Sequence, residues 1–121
     1  MNYLLVGIGA GIGGALRYFL STYASYKLPA YFPFGTLIVN LIGSIILGIL
    51  IFGFDEKDLL SSNLKLLIGV GFCGGLTTFS TFSFETFNLL KETEYLLAFG
   101  NIFLNLFLTI AGVYLGYIFS R

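Results

Sequence analysis

The chain has 121 residues, of which 57% are apolar and 10% charged, and its mean hydropathy is +0.94. Soluble domains carry about 25% charged residues, so this composition belongs to one domain in a bilayer. Zero net charge argues against a nucleic-acid partner, a single cysteine excludes an intrachain disulfide, and scattered acids without histidine exclude a zinc centre or a Ser-His-Asp triad.

Residues 3–24 read as the first apolar helix, with no cleavable signal peptide. Its "GIGAGIGG" sets Gly9, Gly11 and Gly14 in a GxGxxG spacing. A nucleotide fingerprint also needs a βαβ setting and a downstream acid, and neither is present. The better reading is a small-residue face of Gly7, Gly11 and Ala15 for close helix contact in lipid. Arg17 either snorkels to the interface or helps form an electropositive vestibule.

The second helix, residues 34–54, is uncharged and has Asn40 as its only amide. An amide left unpaired in hydrocarbon costs several kcal/mol, so Asn40 meets either a partner helix or a watery ion path.

The third segment, residues 65–90, contains "GFCGGLTTFSTFSFE". Cys73 there reads as a small packing residue. Gly74 and Gly75, followed by Thr77, Thr78, Ser80, Thr81 and Ser83, weaken a helix and offer competing side-chain bonds. A break at this point frees carbonyls for a cation and leaves a half-helix N-terminus facing inward. Phe79 and Phe82 share a face, where they serve as core packing or offer positive ring edges to an anion. Glu85 continues that face as the one acid within a span, hydrogen-bonded near the interface.

The fourth helix, residues 96–120, places Asn101, Asn105 and Thr109 four residues apart on one stripe, which reads as a lined polar track. Each segment has about 20 residues or more, enough at about 1.5 Å per residue to cross about 30 Å of hydrocarbon. With four crossings, one side carries Lys57, Lys65 and Arg121 and the other Lys27 and Lys91. That near-balance leaves two readings open. Either the first helix alone sets the orientation, or the chain inserts both ways and pairs as an antiparallel homodimer. Four thin helices enclose little space, which favours an oligomer.

Taken together, "GGALRY", "FGTLIVNLIGS" and "GFCGGLTTFSTFSFE" resemble the Fluc (CrcB) fluoride channels, and the likeness extends over all four helices. The resemblance implies an all-α membrane protein with a break in the third of four transmembrane helices. It also implies a dual-topology antiparallel homodimer with two pores, lying as a multi-pass protein in the cell inner (plasma) membrane. By that match the backbone carbonyls of Gly74 and Thr77 would hold a structural sodium ion, Na+, at the two-fold axis. Asn40, Phe79, Phe82, Asn101, Asn105 and Thr109 would line the anion's pore, with Arg17, Ser80, Thr81 and Glu85 around its vestibule. Where that family often has Tyr or Ser on the fourth helix, two positions here are Asn.

No ATPase motif is present, so transport is expected to run downhill. An interior-negative potential favours anion exit by about 2.3 kcal/mol per 100 mV. The expected activity is therefore passive, selective fluoride export that protects against fluoride toxicity, with no enzymatic step. The expected partners are fluoride, membrane lipid and a second copy, and not nucleic acid. Two rivals stand beside this reading. A proton-coupled exporter needs an embedded carboxylate, usually in its first helix, and only Glu85 could serve. A structural subunit would use its polar residues only to hold helices together.

Overall fold

A computed structural model describes every residue from Met1 to Arg121, all of it helix and short links. The first helix, α1, is Asn2–Lys27. Helix α2 is Phe34–Ile49, prolonged through Leu50–Asp55 by a wider π winding. Helix α3 covers residues 62–76 and is π-wound over Lys65–Cys73. Helix α4 is Ser80–Lys91 and α5 is Tyr95–Phe119. Together α3 and α4 make the third of four membrane-length units, Ser62–Lys91.

The ends follow from local chemistry. Helix α1 runs on to Lys27 because the lysine ammonium lies over the Tyr23 and Tyr26 rings, 6.0 and 5.5 Å from their centroids. Leu28 then turns extended, as the residue before Pro29 must. Helix α3 starts earlier than expected, at Ser62, because the Ser61 hydroxyl accepts the Leu64 N–H at 3.2 Å. Helices α2 and α4 both close through a left-handed residue, Asp58 at φ 58° and Thr93 at φ 60°. The following N–H groups reach back, Leu59 to the Phe54 carbonyl and Glu94 to the Leu89 carbonyl.

Two helix pairs build the body, α1 with α3 and α2 with α5. The α1–α3 contact is backbone on backbone. A Cβ at Gly9 or Gly13 would run into the carbonyl oxygens of Leu67 and Phe72, and one at Gly75 would meet the Ala10 backbone. Within the chain the expected face is not the one that packs. Gly7 and Gly11 look onto open space and Ala15 is exposed. Two glycine series four residues apart run along α1, and in the one that packs Gly9 meets Gly71 of the opposite helix, whose Gly75 in turn lies against Ala10. In α2–α5, Gly48 and Gly116 approach as closely.

Only 20 of 121 residues are buried, and large side chains such as Phe99, Phe103, Ile110 and Tyr114 face outward. Water would not tolerate that surface but lipid does, so this is a multi-pass membrane protein. The most deeply buried large side chains are Leu76, Val39 and, unexpectedly, the amide of Asn101.

Candidate functional site

Between α3 and α4 the chain leaves helical geometry. Thr77 is extended, at φ −90° and ψ 160°, and α4 begins only at Ser80. An open backbone at membrane depth must find partners, and here a side chain from α2 provides them. Asn40 accepts the Thr78 N–H on its Oδ1 at 2.8 Å and donates from Nδ2 to the Thr78 carbonyl at 3.2 Å. One amide side chain thus replaces two backbone partners of Thr78.

The replaced partners are left free. In a continuous helix the Thr78 N–H would go to the Gly74 carbonyl, and the Thr78 carbonyl would take the Phe82 N–H. The Thr81 N–H is diverted as well, to the Thr78 hydroxyl at 3.1 Å, which releases the Thr77 carbonyl. Neither the Gly74 nor the Thr77 carbonyl receives a hydrogen bond within the chain, and the Phe82 N–H has no acceptor. The break therefore presents the bare carbonyls of Gly74, Leu76 and Thr77 on its upstream side and bare N–H groups, those of Phe79, Ser80 and Phe82, at the positive end of α4.

Asn40 also opens a longer row. Its Nδ2 donates to Asn105 Oδ1 at 3.0 Å, and Asn105 Nδ2 donates to Asn101 Oδ1 at 2.9 Å. Asn101 Nδ2 donates to the Thr86 hydroxyl at 2.9 Å, which in turn donates to the Phe82 carbonyl at 2.8 Å. Backbone groups fix every orientation. Asn40 answers the Thr78 N–H, the second proton of Asn105 goes to the Asn101 carbonyl, and the Thr86 hydroxyl has given its proton to Phe82. Asn40, Asn105, Asn101 and Thr86 are all buried, so the row is largely shielded from its surroundings.

Beside it runs a groove of about 900 Å³ on the outer side of the single chain. Asn40, Gly74, Thr77, Phe79, Phe82, Asn105 and Thr109 are among the residues that line it, and no Lys or Arg contributes. The Phe79 and Phe82 rings are 5.5 Å apart and tilted at 48°, and Phe79 is 79% exposed.

The other candidate residues lie elsewhere. Asn101 is behind the groove wall with no exposed surface, so the expected three-residue track reaches the groove only at Asn105 and Thr109. Arg17 is half-buried, and its Nε donates to the Gly75 carbonyl at 2.9 Å. The Ser80 hydroxyl lies 3.4 Å from that of Thr78, and Thr81 enters the site only through its N–H. Glu85 opens into a second cavity of about 450 Å³ beside the α1–α2 link, and its Oε1 is buried without a partner. The Thr36 side chain, which lines the same cavity, is the hydrogen-bond partner within reach of the carboxylate.

Sequence reasoning passed over Thr86 and the reach of Asn40 to Thr78. Thr86 stands four residues after Phe82, the spacing at which a hydroxyl meets a preceding carbonyl, and that was the available signal.

Comparison with known proteins places the chain among close relatives. The family model described as CrcB-like protein, Camphor Resistance (CrcB), matches residues 4–117. A protein of Pyrococcus abyssi named fluoride-specific ion channel FluC is 52% identical, over 98% of this chain and 94% of its own length. Proteins of the same name from a Shewanella species (strain W3-18-1) and from Pyrococcus furiosus are each 48% identical, covering 99% and 97% of this chain and 98% and 94% of their own.

Proposed function

The chain belongs to the CrcB-like family, and from that premise we propose that it is a passive, selective fluoride channel that exports cytoplasmic fluoride and so protects against its toxicity. The observation that carries the reading is the grip of Asn40 on Thr78, which holds a break open beside the Phe79 and Phe82 rings. Fluoride holds its water tightly, so a pore must replace that shell with donors that let go again. The Phe82 N–H, the Thr78 and Ser83 hydroxyls and the positive ring edges are such donors, the other hydroxyls of the groove being already given to backbone carbonyls. A groove free of Lys and Arg would not trap the anion. Asn40 and Asn105 have both amide protons engaged, so an ion would meet them by exchanging bonds.

The working unit is an antiparallel, dual-topology homodimer with two pores. Support comes from the open side of the groove, the exposure of Phe79 and the uncovered glycines Gly7 and Gly11. The bare carbonyls of Gly74 and Thr77 fit a hard cation that takes oxygen ligands. They are the residues that would hold Na+, which would neutralise the carbonyl dipoles where the two copies meet. Glu85, lying apart from the groove, suits neither a proton-coupled exporter's central carboxylate nor a pore ligand.

The test is efflux from liposomes loaded with fluoride or chloride and containing the purified protein. Fluoride efflux without chloride efflux is expected, and it should persist when the sodium gradient is collapsed. Absence of fluoride efflux would overturn the channel, and efflux that follows the sign of the sodium gradient would mean coupled transport instead.

A further inference from the structure

The row of hydrogen bonds from Thr78 to Phe82 has one sense throughout. Thr78 N–H, Asn40, Asn105, Asn101, Thr86 and the Phe82 carbonyl are joined head to tail by bonds of 2.8, 3.0, 2.9, 2.9 and 2.8 Å. Its two ends return to the same short stretch of chain. Thr78 directly precedes Phe79, and the other end is the carbonyl of Phe82 itself. The row therefore staples the backbone on both sides of the ring pair and passes through α2 and α5 in doing so.

We infer that Thr86 and Asn101 are positioning residues for the Phe79–Phe82 pair and act on the ion's path without touching the ion. This rests on the channel reading. Asn101 cannot be an ion ligand, because it has no exposed surface and its Nδ2 is committed to Thr86. Thr86 reaches the groove wall, yet its hydroxyl proton is committed to Phe82 and its oxygen to Asn101. What Thr86 fixes is the carbonyl four residues back, at the first turn of α4, where no backbone partner holds the Phe82 N–H. A hydroxyl bonded to the carbonyl four residues back is known to bend a helix locally, so this bond sets the angle at which the Phe82 ring leaves α4. Bonds aligned in one sense polarise one another, so loss of the hydroxyl is felt along the row at Asn40.

The experiment compares Thr86→Val, which keeps the shape and removes the hydroxyl, with Thr86→Ser, which keeps the hydroxyl. Both are reconstituted at matched dimer yield. Fluoride efflux should fall about tenfold in Thr86→Val and return to within about twofold of wild type in Thr86→Ser. The side-chain amide resonance of Asn40, followed by NMR with labelled asparagine, should move in the valine variant and return in the serine variant. Should Thr86→Val fail to assemble, Thr86→Cys takes its place, with a weakly donating thiol and an efflux between those of serine and valine.

Efflux that falls while the Asn40 resonance stays fixed would make Thr86 a direct ion contact and overturn the inference. So would unchanged efflux in Thr86→Val beside an active wild type. Wild-type vesicles that pass no fluoride would instead sink the channel reading, leaving the resonance shift as the separate measure of the row.

Discussion

Along the α1–α3 seam, Gly9, Gly13, Gly71 and Gly75 bring two backbones together, with one polar bond at the end, from Arg17 to the Gly75 carbonyl. The α2–α5 seam begins the same way, with Gly48 on Gly116, and then changes material to amides where Asn40 meets Asn105. Lipid supplies no hydrophobic drive between helices, so close packing and interhelical hydrogen bonds are the means available, and the first seam leans on packing while the second adds buried amides. The difference lies in what each can specify. Glycine packing fixes distance and tolerates no added atom. Buried amides cost desolvation but fix direction, and through Asn40 they reach a backbone that packing alone could not hold open.

The largest expected effect breaks the packed seam. In Gly13→Val the new Cβ would meet the Phe72 carbonyl oxygen and lie 2.9 Å from the Leu76 nitrogen, with no flexible side chain to yield. Loss of about 3 kcal/mol or more of stability is expected, read as loss of monodisperse protein on size exclusion. Normal yield would show that the seam is looser than described.

Asn40→Asp attacks the polar seam. It keeps an acceptor for the Thr78 N–H but loses both donated bonds and sets a negative charge beside the groove. Fluoride efflux should drop about 100-fold at a pH where the aspartate is ionised, and wild-type efflux there would count against the site.

Phe82→Ile separates path from seam. Efflux should fall about tenfold as the ring edge is lost, while dimer yield stays as in wild type. The smallest effect is at the turn that joins α4 to α5. Thr93 holds φ 60°, a strained position for a β-branched residue, so Thr93→Gly should raise stability by about 1 kcal/mol, seen as a higher thermal midpoint at unchanged efflux.

Much of the fold is legible because apolar runs of membrane length leave few alternatives, and amides within them stand out by rarity. Asn40 and Asn105 could be singled out on those grounds. The side of the wall on which Asn101 falls could not. The stripe it shares with Asn105 is set by helical period, but its exposure depends on how α5 is rolled against α4. The choice between two glycine series on α1 likewise depended on glycines in another helix. The double replacement at Thr78 was hidden for a further reason. Gly74 and Gly75 looked like the weak point, yet the chain departs from helix at Thr77 to Phe79, where a side chain 38 positions away supplies the missing partners. Local propensity has no access to such a partner.

The amide row has one more consequence, and it concerns protons. Chains of carboxylates and imidazoles carry protons through membranes because each member can take one up and release it. Here the amides of Asn40, Asn105 and Asn101 do not titrate, and backbone groups hold them so that none can turn over to reset the row. A proton has nowhere to rest between Thr78 and Phe82. The row itself thus brings polarity to the middle of the bundle without adding a proton leak of its own to the pH gradient across the membrane.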